Sequence, residues 1–175
     1  MANYHNLLSK CDRALMAYII AGGAGTSADT YPAKRSQDRD LPCTICYSES
    51  CVESAHYSAT YSVKASIIVR SNAPTESGWD PSQPKLDSDA RVAQTFDLFH
   101  TDLDSSGDKL ADDITAAARA LATTDPDRHG DLANFTLQNI KIAGIEANFE
   151  EGSIVWNDTL NLVMVACPAN VDDPL

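Results

Sequence analysis

The sequence predicts an α+β fold, in which an N-terminal amphipathic helix and one or two central helices pack on a mainly antiparallel sheet of four to five strands. Three observations predict it: apolar residues recur at helical spacing in two blocks, an alternating apolar and polar run lies between them, and the last third consists of strand-like segments. At 175 residues the chain can bury one hydrophobic core without disulfides or metals. We therefore expect a single domain over 1–175, with long loops at 22–40 and 71–88.

The first block is predicted to be one helix that packs its apolar stripe on the core and turns Lys10, Asp12 and Arg13 to water. AGGAGT at 21–26 follows it. Because this segment comes after a helix and lacks the Gly-Lys-Ser/Thr sequence that holds phosphate and magnesium, it indicates a helix C-cap and hinge instead of a phosphate loop. The apolar stripe consists of Tyr4, Leu7, Leu8, Cys11, Leu15, Tyr18 and Ile19.

Two strands are predicted after the first loop. LPCTICYS at 41–48 is a short run of cysteine and β-branched residues, and YSATYSVKASIIVRS at 57–71 alternates apolar with mostly polar residues. This alternation predicts one buried face and one mostly hydrated face. The apolar positions are Tyr57, Ala59, Tyr61, Val63, Ala65, Ile67 and Val69.

Helical spacing returns between residues 92 and 121. DSSGD at 104–108 favours a break between two helices, because Ser, Gly and Asp are poor residues for a helix interior. TTDPDRHGD at 123–131 is predicted to be a turn. The positions with helical spacing are Val92, Phe96, Phe99, Leu103, Leu110, Ile114, Ala117 and Leu121.

The last third is predicted to form strands at 135–149, 150–158 and 159–169, with a hairpin turn at 150–152. The apolar run within 160–166 indicates a central strand that is covered on both faces. The predicted order is therefore helix, two strands, one or two helices, and two or three strands.

The charge pattern argues against nucleic-acid binding. The net charge is −12 and the pI is about 4.5, and the 13 basic residues are scattered along the chain. The N-terminal segment carries charges among its apolar positions and has no basic lead, so neither a secretory signal nor a membrane span is predicted, and we expect synthesis in the cytosol. Five cysteines, an odd number, favour reduced thiols over a disulfide framework.

A zinc site is one interpretation of LPCTICYSESCVESAH at 41–56, because the spacing of Cys43, Cys46, Cys51 and His56 is close to that of a small zinc knuckle. A knuckle needs a tight turn between its first two cysteines, whereas here threonine and isoleucine, which favour strands, lie between them. In an extended segment Cys43 and Cys46 point to opposite faces and cannot share one ion. We therefore expect a strand without a metal or other cofactor, and keep a zinc module as the alternative.

The Asp102–Asp113 loop offers calcium as a second metal interpretation, because DLDSSGDKLADD lies between two helical segments and has acidic residues at the positions of a calcium loop. Two departures weaken it: position eight is a lysine, and position twelve is Asp113, which is shorter than the usual bidentate glutamate. A hydrated loop between helices is the simpler interpretation. The matching positions one, three, five, six and twelve are Asp102, Asp104, Ser106, Gly107 and Asp113.

No catalytic motif is recognisable, so we expect a protein that is not an enzyme. None of the four histidines lies in a nucleophile or metalloprotease motif. His5, His100 and His129 are expected on helix surfaces or in loops. A site assembled from residues distant in sequence stays open, because no motif would reveal it.

The order of segments carries a family resemblance. After the N-terminal helix come LPCTICYSESCVES, the extended YSVKASIIVRS, the alanine-rich ADDITAAARAL and the closing WNDTLNLVMVACPAN. This succession resembles the phage proteins that complete the tail and join it to the head, namely the tail terminators and neck proteins. The closing pattern of tryptophan, Thr-Leu pair, alternating apolar strand and proline is found at Trp156, Thr159, Leu160, Leu162, Val163, Val165 and Pro168.

The resemblance implies a structural protein of the virion that is assembled in the host cytoplasm. Such a subunit forms a ring, commonly a homohexamer, on the end of the tail tube, where it stops tube growth and offers a surface to the head–tail connector or adaptor. Its implied partners are its own copies, the tail tube protein and the connector, with no membrane. DNA would pass through the lumen without specific binding, and the acidic composition suits such a channel because like charge disfavours phosphate contacts.

Overall fold

The computed structural model shows an α+β fold, which confirms the predicted class. The structure describes residues 4–32, 41–55, 60–72, 87–103, 107–149 and 155–168. Within these residues, a layer of helices covers one face of a five-stranded mixed sheet.

The helices confirm the two predicted helical blocks and the break between them. The turn predicted at 123–131 is wrong, since this segment contains a short helix that has Pro126 in its first turn, where the fixed φ of proline suits a helix. The helices are α1 (Tyr4–Ala21), α2 (Asp87–Leu103), α3 (Gly107–Thr124) and α4 (Pro126–His129), and a 3-10 turn at Gly130–Leu132 follows α4.

The end of α1 confirms the predicted C-cap. Gly23 has a φ of 73°, a left-handed conformation that glycine adopts without the steric penalty of a side chain. The Ala24 amide then donates to the carbonyl of Ile19 at 3.1 Å, so the chain turns back over the last turn of the helix.

The sheet has the strand order β1-β2-β3-β5-β4. The short β1 runs parallel to β2, and all other neighbours are antiparallel. The strands are β1 (Thr30–Pro32), β2 (Cys43–Ala55), β3 (Thr60–Asn72), β4 (Phe135–Phe149) and β5 (Val155–Pro168).

The strand count is within the predicted range, but the strands differ from those expected. One strand, β1, was not expected, and it lies inside the predicted loop at 22–40. The two strands expected at 150–158 and 159–169 are instead one continuous strand, β5. β2 extends seven residues past the predicted end at 48. Residues 33–40, 73–86 and 150–154, which hold the rest of the two predicted loops and the predicted hairpin turn, lie outside the described residues.

The hydrophobic core lies between the sheet and the helices. α1 packs on β2, α3 packs on β4, and α2 contacts β3 and α3. The alternation predicted for β3 is confirmed, because the residues that it contributes to the core are every second one. We call the covered side of the sheet the helix face and the other side the outer face. The strand residues of the core include Cys46, Tyr61, Val63, Ala65, Ile67, Leu137, Ile140, Leu160, Leu162, Met164 and Ala166.

β5 is an interior strand, as predicted, but it is not fully covered on both faces. Leu160, Leu162 and Met164 on the helix face are buried. Asn161 and Val163, on the outer face, are only half-buried. The largely apolar run therefore reflects one buried face and one partly hydrated face of an antiparallel strand.

Candidate functional site

The cysteines proposed for zinc lie on one strand. Cys46 pairs with Ile67 and lies on the helix face. Cys43 lies on the outer face, because it is three residues away on the same strand and no bulge lies between the two cysteines. This confirms the extended geometry expected for 43–47. A register shift after Ser48 returns Cys51 to the helix face. His56 lies outside the described residues.

Thiol chemistry at these positions is disfavoured by burial. Cys43 and Cys46 are fully buried, and desolvation raises the pKa of the Cys46 thiol well above its usual range. The same cause, together with the nearby Asp12 carboxylate, raises the pKa of Cys11. In the part of the chain that the structure describes, no three His, Cys, Asp or Glu side chains are grouped to hold a metal ion.

Asp113, the last of the ligands considered for calcium, forms an ion pair on a helix surface instead. α3 begins at Gly107, so Asp113 lies inside that helix, and its carboxylate accepts a hydrogen bond from Lys109 Nζ at 2.8 Å. Asp104 and Ser106 lie outside the described residues, as does the side chain of Asp102.

His129 is buried, so its predicted position on the surface is wrong, whereas His100 is exposed as expected. The short helix α4, which the sequence did not predict, turns His129 inward. Burial lowers the pKa of His129, and its Nε2 atom lies 3.9 Å from the Asp125 carboxylate. The side chain of His5 lies outside the described residues.

Arg91 joins three elements through a cluster that sequence reasoning missed. The guanidinium, which is buried in α2, contacts the Asp29 carboxylate at 2.6 and 2.8 Å. It also donates to Thr44 Oγ1 on β2 at 2.9 Å and to Thr30 Oγ1 on β1 at 3.2 Å. This Arg91 cluster holds β1 and the turn before it against the sheet, and it lowers the pKa of Asp29.

Asp12 is buried, so the prediction that it faces water is wrong. Its carboxylate accepts a hydrogen bond of 2.6 Å from the backbone amide of Ser48, where the register of β2 shifts and β1 has already ended. Burial raises the pKa of Asp12 to about 6 despite this bond. A helix carboxylate thus satisfies a strand amide beside an irregularity that the sequence pattern did not reveal.

A row of polar side chains crosses the outer face. Ser66 Oγ on β3 lies 3.1 Å from Glu49 on β2 and 3.0 Å from Asn161 Oδ1 on β5. The Asn161 side-chain amide donates in turn to Glu146 on β4 at 3.3 Å. The row links four strands through side-chain hydrogen bonds on the outer face.

The two sides of the sheet end in strands with open edges. β1 pairs with residues 44–46 of β2. Within the described part of the chain, no strand pairs with the lateral edge of β2, the edge away from β3, from residue 47 to 55. At the other end of the strand order, no described strand pairs with the lateral edge of β4, the edge away from β5. Such edges are ready to pair with another chain.

Both open edges carry exposed apolar side chains. Val52 on β2 is 66% exposed and Ile145 on β4 is 46% exposed, and they are the large hydrophobic residues that the described part of the chain leaves exposed. The open edges are therefore the strongest candidate for a functional surface, and they are suited to assembly rather than to chemistry.

No protein-family model matches the sequence, and no curated protein matches it. Among solved structures, the chain is similar to a chain of "Virion of native gene transfer agent (GTA) particle", with 15% sequence identity and a TM-score of 0.42. The similarity covers 95% of this chain and 92% of that chain. No described helix has the length and apolarity that crossing a bilayer requires.

Proposed function

We propose that this chain is a non-enzymatic structural protein of a phage virion, a tail terminator or neck subunit that forms a ring between the tail tube and the head connector. The observation that carries the proposal is the pair of open edges on opposite sides of one sheet. Because the two edges differ, a contact between them is head-to-tail, and repeating it closes a ring when the rotation between neighbouring copies is an integral fraction of a full turn.

The composition supports a ring through which DNA passes. A net charge of −12 on 175 residues suits a lumen that DNA passes without specific binding, because like charge disfavours phosphate contacts. The closing segment, whose Thr-Leu pair and alternating apolar strand lie on β5, resembles that of tail terminators, and this resemblance also supports the proposal. The partners are other copies of the chain, the tail tube protein and the connector or adaptor.

Deletion of the gene, followed by electron microscopy of the particles, tests this role. For a terminator, we expect tail tubes of uncontrolled length and filled heads without tails. For a neck subunit, we expect tails of normal length that are detached from heads. Supplying the wild-type gene in trans should reverse either defect. Intact infectious particles without the gene product would refute the proposal.

A further inference from the structure

We propose that the subunit contact is made by strand addition, in which the stretch of β4 between its two register shifts, residues 139–142, pairs antiparallel with residues 50–53 of β2 of the next copy. This inference rests on the proposed ring and names the surface that closes it. The partner is a second copy of the same chain.

The strand directions permit this contact. β2, β3, β5 and β4 are neighbours in that order, and each pair is antiparallel, so the directions alternate and β4 runs opposite to β2. A copy rotated about an axis parallel to the strands therefore presents its β2 antiparallel to β4 of the first copy. The helix faces of both copies then remain on the same side of the extended sheet.

The irregularities of the two strands limit the contact to these residues. β2 shifts register between Ser48 and Ser50, and β1 occupies the same edge at residues 44–46. β4 shifts register first between Leu137 and Asn139, where the Leu137 amide already donates to Thr115 Oγ1 at 3.0 Å. It shifts again between Ile142 and Gly144, at about the height in the sheet at which β1 begins to flank β2. A register shift of this kind bends the strand, so we expect the second half of β4 to diverge from β1 of the next copy.

The register brings opposite charges together. Lys141 is level with Val163, Val163 with Lys64, and Lys64 with Ser50, so Lys141 and Ser50 lie at one height on the outer face. Glu49 is beside Ser50 and also lies on the outer face, where Ser66 contacts it. Without a stagger between copies, exposed Lys141 of one copy lies opposite Ser50 and diagonal to exposed Glu49 of the next. The contact also covers Val52, whose side chain is 66% exposed.

Charge reversal on each edge tests the contact. The wild-type chain and the variants Lys141→Glu and Glu49→Lys are compared by sedimentation velocity at a concentration at which the wild type is assembled. We expect each variant alone to need about tenfold more protein for half-assembly, because like charges then meet at every contact. Lys64→Glu is the matched control, since Lys64 is exposed at the same height of the outer face but on an interior strand.

An equimolar mixture of the two variants provides the sharper result. In a ring in which the two variants alternate, the β4 edge of each Lys141→Glu copy meets the β2 edge of a Glu49→Lys copy. At these contacts the two opposite charges are restored with their positions exchanged. The remaining contacts of the mixture join the wild-type charges. In the double variant, which carries both Lys141→Glu and Glu49→Lys, every contact has the exchanged charges. The mixture and the double variant are therefore both expected to assemble as the wild type does. Such alternation closes only in a ring with an even number of copies.

The inference is overturned if Lys141→Glu assembles like the wild type, if Lys64→Glu is equally impaired, or if neither the mixture nor the double variant recovers. A wild-type chain that stays at 18.8 kDa at every concentration also overturns it. In that case, the deletion phenotype still decides the virion role, so the two failures are distinguishable.

Discussion

At the scale of single residues, buried polar side chains connect the helices to the edge of the sheet. Arg91 is the centre of the larger cluster, because its guanidinium contacts side chains on β1, on β2 and in the turn before β1. Removing one member of a buried charged pair leaves its partner without compensation, which costs more than the pair itself contributes.

Replacement of Arg91 by methionine is expected to lower the free energy of unfolding by about 3 kcal/mol at pH 7, because Asp29, Thr30 and Thr44 lose a shared donor. Chemical denaturation measures it. Arg119→Met is the control, since Arg119 is exposed and donates to Thr136 alone among the described residues, and a change of under about 0.5 kcal/mol is expected. Equal effects of the two substitutions would contradict the role of the Arg91 cluster.

The pH dependence of this loss follows from the Asp29 carboxyl. Arg91 holds its pKa below the usual range, so the pair stabilises the fold above pH 4 and this contribution is lost as the pH falls further. The difference between wild type and Arg91→Met should therefore shrink below about pH 4.

Asp12 should give the opposite pH dependence. Its pKa in the folded chain is raised from 3.8 to about 6, so the folded state holds the proton more tightly than the unfolded state does. Lowering the pH from 7 to 5 should stabilise the wild type by about 1 kcal/mol relative to Asp12→Asn, which cannot titrate at this position. Parallel pH profiles of the two proteins would show that Asp12 is hydrated.

These residues also mark where sequence reasoning stops. Asp12 falls on the expected polar side of α1 by helical spacing, and only the course of β2 beside it makes that position buried. His129 has the sequence context of a turn, yet the short helix α4 turns it inward. Periodicity assigns a residue to a face of its own element, but the neighbours of that face are set by tertiary contacts.

At the scale of elements, the strands are much longer than the helices that cover them. α3 has 18 residues and spans about 27 Å, whereas β4 has 15 residues and spans about 50 Å. The helix layer therefore leaves part of β4 uncovered, which accounts for the exposure of Ile145 on the helix face.

This mismatch predicts a graded response along β4. In the unassembled chain, Ile145→Ser should change the free energy of unfolding by under about 1 kcal/mol, because the side chain is already 46% exposed. Ile140→Ser, five residues earlier and 1% exposed, should cost about 3 kcal/mol or more. Urea denaturation at a concentration at which the chain is monomeric compares them, and a similar loss at both positions would show that the helix layer reaches Ile145.

Most elements could be predicted, whereas β1 and the end of β2 could not. α1, the central helices and β3 carry unbroken periodicity, and the structure confirms them. β1 has only three residues, one of them a proline, and its strand geometry depends on pairing with β2 and on the Arg91 cluster. The end of β2 was underestimated because SESCVESA is polar and has a register shift, which obscures a period of two.

At the scale of the whole molecule, the chain combines an acidic composition with two dissimilar sheet edges. The net charge of −12 opposes association in general, so a specific contact needs a complementary pair such as Lys141 and Glu49 to overcome it. The sites that the sequence brought into consideration, although it did not favour them, were metal sites, because short motifs are visible in a linear sequence. The open edges were missed, since they are defined by which strands pair and not by residue type.

Cryo-electron microscopy of the assembled wild-type chain tests the central claim most directly. We predict a closed ring of six chains of 18.8 kDa each, in which hydrogen bonds join β4 of every copy to β2 of the next. A ring whose copies meet only through helices or loops, with both edges left in solvent, would contradict the account.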